Sequence, residues 1–141
     1  MSIAYNKYQL FIAAVFNKTH NLSSDTCKVS LSNTAPTAAD TYTTMIGNDI
    51  GTANGYTAGG PSVGSPSSTQ TTGTYTFSGN NTVVTATGAV GPFRYAALYN
   101  STASANIAYF DYGSSITMAN GDVFTVAWNG GGSSGTIFTA T

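Results

Sequence analysis

Gly91 to Asn129 reads GPFRYAALYNSTASANIAYFDYGSSITMANGDVFTVAWN, and the fold of the whole chain turns on it. The stretch holds both of the densest apolar runs, the single tryptophan and the clearest turn signal. Asn120-Gly121 separates SITM from DVFTVAW. Asn-Gly supplies the two positive-φ residues of a type I′ turn, so the spacing predicts a hairpin. Along its second arm Phe124, Val126 and Trp128 share one face and Val123, Thr125 and Ala127 the other; the first is the expected core face. Upstream, Phe93 to Tyr99 and Ile107 to Tyr112 flank a small polar loop, Asn100 to Asn106. Both runs are apolar on both faces, so each strand is expected to be covered on both sides. That leaves room for one cover to come from another subunit.

Two charges interrupt these runs. Arg94 lies between Phe93 and Tyr95, and Asp111 between Phe110 and Tyr112. Antiparallel pairing of the two strands would bring them together as a structural pair. The sharper alternative sets Arg94 against a partner subunit, because Arg and aromatic residues concentrate at interface cores.

With 141 residues the chain is expected to be one domain, 1–141. Threonine and aromatic residues favour strands, and Gly, Asn and Ser favour turns. The expectation is a mainly β, antiparallel β-sandwich or jelly-roll-like domain. It would have about seven to eight strands, a short N-terminal helix and a long Gly/Ser/Thr-rich loop or arm. Residues 1–25 form the helical segment and its connection, 51–73 the flexible arm and 74–141 the main hairpin block.

Tyr8, Phe11, Ile12, Val15 and Phe16 are spaced as one face of a helix of about three turns. The competing reading of this short apolar run is a strand. Cys27, Val29 and Leu31 alternate as one face of a strand from Thr26 to Ser32, which predicts a buried, inert thiol. Tyr42 to Ile50 reads as a short helical turn or an edge segment. Gly51 to Gly73 is rich in Gly, Ser, Thr and Pro and reads as an arm ordered by a neighbour or as an edge strand. Tyr56 and Val63 stand out in it, since a pure spacer would not need them. Thr74 to Phe77 and Thr82 to Thr87 read as a second hairpin around Ser78 to Asn81. Gly130-Gly131-Gly132 breaks the chain, and Thr136 to Ala140 forms a last strand.

Charge is scarce: four basic residues, five acidic ones, all aspartate, and one histidine. No basic patch can be built from these, so nucleic-acid binding is not expected. No run is long enough to span a membrane and no signal peptide is read. Gly60-Pro61-Ser62-Val63-Gly64 matches G-x-S-x-G, but the strand before and helix after that a nucleophile elbow needs are missing from the pattern. His20 lies in a polar connection and reads as a surface or turn-stabilising residue. One histidine, one cysteine and singly spread aspartates do not make a zinc or calcium site. Neither a catalytic role nor a cofactor is expected.

KTHNLSSDTCKVSLSNTAP from Lys18, GYTAGG from Gly55, RYAALYN from Arg94 and IAYFDYGSSITMANGDVFTVAWN from Ile107 follow one another in a telling order. As an ordered set, from about Phe11 to Asn129, they resemble a family of small virion proteins of tailed bacteriophages. The chain departs from that pattern in a longer Gly/Ser/Thr stretch after Gly60. The resemblance implies a structural component of the particle, and within that class a capsid cement, or decoration, protein on the capsid exterior. Its expected partners are the major capsid protein and itself, as a homotrimer. Arg94, Tyr95, Tyr56, Val63 and Tyr109 are the residues expected at such interfaces. The alternative from another class is a tail-associated or head-fibre module that recognises a host glycan.

Overall fold

The computed structural model describes residues 3–129 and 132–141. The elements in chain order are β1 (Asn6–Lys7), α1 (Leu10–Phe16), β2 (Cys27–Ser32), α2 (Tyr42–Gly47), β3 (Gly64–Thr71), β4 (Thr74–Asn80), β5 (Thr82–Thr85), β6 (Val90–Asn100), β7 (Ala105–Met118), β8 (Val123–Val126) and β9 (Ser134–Ala140). Every strand pairing is antiparallel. The strands form three sheets, β1-β7-β6-β2, β3-β4-β9 and β5-β8. The chain is mainly β, and its strands pack in a sandwich-like arrangement.

The first sheet is the scaffold, and β6 and β7 are its centre. Their register sets Tyr95 opposite Asp111, Ala96 opposite Phe110 and Leu98 opposite Ala108. Both faces are covered, as two apolar faces require. Ala96, Leu98, Ile107 and Ala108 enter the main core with Val29 and Leu31 of β2, Phe77 of β4 and Ile137 of β9. Ala97 and Tyr99 enter a second core with Tyr8 and Met45. The second cover therefore comes from this chain's own α2 and N-terminal segment. On β2, Cys27, Val29 and Leu31 are buried together, and burial pushes the Cys27 thiol up to about 12.

Two hairpins differ from the sequence expectation. The turn at Asn120-Gly121 exists, closed by Asp122 N–H donating to Ala119 O at 3.0 Å. Only Gly121 has a positive φ, at 91°, so the turn lacks the I′ geometry that would fold β8 back on β7. Ala86 holds the turn instead, through Gly121 N–H to Ala86 O and Ala86 N–H to Asp122 O, both 2.8 Å. β8 leaves the first sheet and pairs with β5. The tight two-residue hairpin occurs at Thr72-Gly73, with φ of 50° and 81° and Thr71 opposite Thr74. β4 consequently pairs with β3 and β9 and not with β5; Asn81 carries the chain across between sheets.

The stretch read as a mobile arm is part of the fold. Tyr56 and Val63 are buried in the main core. Residues 61–63 lie along the outer edge of β2, with Val29 N–H donating to Pro61 O at 3.0 Å and Val63 N–H to Cys27 O at 2.9 Å. Gly60 makes this approach possible: its φ is 75°, and a Cβ there would sit 1.7 Å from Val29 O. Only β3 beyond it is largely exposed, as an edge strand. α1 is also shorter than expected, two turns, and buries Phe11 alone. Ile12, Val15 and Phe16, expected inside, face outward. The glycine run at 130–132 falls partly outside the described residues.

Candidate functional site

A cleft of about 550 Å3 opens between β6 and β7 on one side and β8 with its continuation on the other. Six consecutive residues, Phe124 to Asn129, line it. Strand side chains alternate in direction, so a consecutive run of lining residues means that the strand turns its edge to the cleft. β8 is hydrogen-bonded to β5 along its other edge. Among the described residues, the Ala127 N–H and C=O find no backbone partner.

The walls are aromatic. Tyr112 meets Phe124 edge-on at 5.8 Å, Phe110 meets Trp128 at 6.0 Å and Tyr5 meets Phe110 at 5.9 Å. Edge-to-face packing satisfies ring quadrupoles against one another. Trp128 is buried at the back and donates its indole N–H to Asn80 O at 2.9 Å.

Arg94 lines the cleft without leaving it charged. Its Nε and Nη2 donate to the two carboxylate oxygens of Asp111 at 2.8 and 2.9 Å, a bidentate pair. Gly113 N–H also donates to Asp111 at 2.7 Å. The Arg94 bond, seconded by this amide, holds the Asp111 carboxyl below its usual range. The guanidinium carbon lies 5.3 Å from the centre of the Tyr95 ring. The structural pairing read from the sequence is thus present, and the arginine stands at the cleft as well.

The N-terminal segment borders the cleft. Ile3 and Tyr5 line it, and Tyr5 also packs on Phe138 at 6.1 Å. Phe11 of α1 packs on the same ring at 5.4 Å. Outward from there, α1 presents Leu10, Ile12, Val15 and Phe16, with Phe16 82% exposed.

The chain matches no protein-family profile, no curated protein and no solved structure.

Of the residues expected at an interface, the cleft brings together Arg94 and Tyr95. Tyr109 lies on the opposite face of β7, half-buried against Tyr8 at 5.0 Å. Tyr56 and Val63 are buried in this chain's own core. In the sequence Tyr5 reads only as one of several tyrosines of a carbohydrate-stacking surface, Tyr112 does not stand out, and the alternation along β8 already points Phe124 toward the core side. Ser62 of the G-x-S-x-G match bridges to Lys28 of β2 and is followed by a strand rather than a helix.

His20 has a structural setting. Asn100, fully buried at the end of β6, donates to Asp25 at 2.6 Å and lies 3.2 Å from His20 Nδ1. The ring packs on Phe11 at 5.2 Å. Burial lowers the His20 pKa against the opposing pull of Asp25. The Asn100 bond chiefly, with the Asn21 amide, lowers that of Asp25. The cluster ties the connection after α1 to the first sheet. No described helix is long and apolar enough to cross a membrane.

Proposed function

We propose that this chain is a bacteriophage capsid cement, or decoration, protein that binds the outside of the major capsid protein lattice as a homotrimer and stabilises the head. The observation that carries the reading is two apolar features, the aromatic-walled cleft and the exposed Leu10, Ile12, Val15 and Phe16 of α1, on a chain with only four basic and five acidic residues. A free-standing domain usually carries about a quarter charged residues. Exposed apolar side chains in this number are suited to contact with other proteins. The order of motifs from Lys18 to Asn129 supplies the particle context by resemblance. The work is mechanical: each contact is modest, and repetition over a symmetric lattice multiplies it.

Adding purified protein to heads assembled without it should raise the temperature at which the heads open. Unchanged opening at saturating protein would overturn the reading. The aromatic walls also bear on the alternative, a tail-associated or head-fibre module gripping a host glycan. That reading has less support: among the described residues no carboxylate lines the cleft, and the nearby Asp111 already serves Arg94 with both oxygens.

A further inference from the structure

We propose that His20 and Asn100 form an acid-sensitive latch that holds α1 on the first sheet at neutral pH and releases it when the ring takes up a proton. The latch is a property of the isolated chain and stands apart from head binding.

Asn100 fixes the chemistry. It is fully buried at the end of β6. Its Oδ1 accepts the Ala103 amide at 3.0 Å, a donor that cannot reverse its role. Its Nδ2 donates to the Asp25 carboxylate at 2.6 Å, which while ionised can only accept. The Asn100 amide therefore cannot flip, and its second Nδ2 hydrogen faces His20 Nδ1 at 3.2 Å. Nδ1 is then the acceptor, and the ring carries its proton on Nε2. A proton on Nδ1 would set donor against donor. The ring can reach Asp25 instead only by turning away from Asn100, which breaks the same bond. Asn100 and the Asn21 amide already share Asp25 Oδ2. His20 Nε2 is buried without a protein partner, so charge gains no acceptor at that end.

Other ionisable groups around the ring do not compensate. α1 carries none, and neither does the loop from Ser101 to Ser104. β9, which meets Phe11 through Phe138, carries none. Cys27 lies near Asp25 and stays a neutral thiol, since burial pushes it up to about 12. Lys18 on the same connection is exposed, and Lys28 points to the opposite face of β2 from Cys27.

α1 rests on this ring. Phe11, the buried residue of the helix, packs on His20 at 5.2 Å and on Phe138 at 5.4 Å. Once the Asn100 bond is lost the ring is free to leave, and Phe11 loses one of the faces it packs against. Burial lowers the His20 pKa despite Asp25, in keeping with a ring held neutral.

Two measurements on the wild-type chain test the latch, from about pH 8 to about pH 5, the range in which histidine charges. Nitrogen-15 NMR reads the ring. At the upper end it should show the proton on Nε2 and a bare Nδ1. Amide exchange, corrected for its intrinsic pH dependence, reads α1 through the Asn17 and Thr19 amides, which donate to Ala13 O and Ala14 O at 2.9 and 2.8 Å. Their protection should fall as the ring titrates, by the ratio of its folded acid constant to that of free histidine. The centre of β6 and β7 should keep its protection. His20→Gln, which does not titrate, should hold α1 protection level across the range. A neutral ring with its proton on Nδ1, or wild-type α1 protection that stays level, would overturn the latch. So would a loss shared equally by β6 and β7, which marks global unfolding, or the same loss in His20→Gln.

Discussion

The Tyr56 hydroxyl donates to the Asp49 carboxylate at 2.5 Å while accepting the Leu31 amide at 2.9 Å. Asp49 also accepts from Ser30 Oγ at 2.7 Å and from the amides of Gly51 and Gly59 at 2.8 and 3.1 Å. One carboxylate and one phenol thus clasp the glycine-rich stretch to β2, and Tyr99 adds a bond to Gly59 O at 2.8 Å. Tyr56→Phe removes the hydroxyl and strands a buried amide. It should cost about 1–3 kcal/mol, the penalty of an unsatisfied buried group. Gly60→Ala should cost more, because a Cβ there collides with Val29 O. Thermal unfolding of both variants checks this; a wild-type midpoint for Gly60→Ala would mean that the stretch is loose in solution.

Trp128 is 5% exposed and packs edge-on against Phe110. Trp128→Ala should destabilise by about 3–5 kcal/mol, the range for large aromatic truncations in cores. Chemical denaturation measures it. A loss below about 1 kcal/mol is what an exposed site gives and would place the indole outside the core.

The centre of the fold was legible because its signals were local and redundant. Both faces of Phe93 to Tyr99 were apolar, Cys27, Val29 and Leu31 alternated, and Arg94 and Asp111 sat where antiparallel pairing would join them. Pairing partners were not legible where the choice depended on distant groups. Asn120-Gly121 has hairpin chemistry, but Ala86 captures the turn and β8 goes to β5. The glycine-rich stretch looked unable to order itself because its anchor, Asp49, precedes it in sequence and its other partners lie on β2. At the cleft, Arg94 and Tyr95 were readable, whereas Tyr5 and Tyr112 meet there only through the crossing of sheets.

Acid should loosen the cluster around His20. Burial depresses its folded pKa below the ordinary 6.5, so the neutral ring favours the fold. That contribution is complete above the unfolded value of 6.5 and is lost as the pH falls through the lower folded value. A proton on Nδ1 would also face the Asn100 amide that donates to Asp25. Asp25 and Asp111, both depressed, add a further loss at more acid pH, as each falls through its folded value. His20→Gln should therefore remove the decline in melting temperature just below pH 6.5 and keep the later one. Superimposable profiles for wild type and variant would show that His20 does not titrate with folding.

Attachment to heads should depend weakly on ionic strength. The apolar surface offers few charges to screen, and Arg94 is already paired with Asp111. Retention on particles across a salt series, measured by gel densitometry, should stay level. A steep wash-off between low and moderate salt would point to an ionic interface instead.

Cryo-electron microscopy of the virion should reveal density fitting this β domain on the outer surface of the head, in many copies, at three-fold or quasi-three-fold junctions of the capsid lattice. Density confined to the tail, or a head surface bare of this domain, would contradict the proposed capsid role.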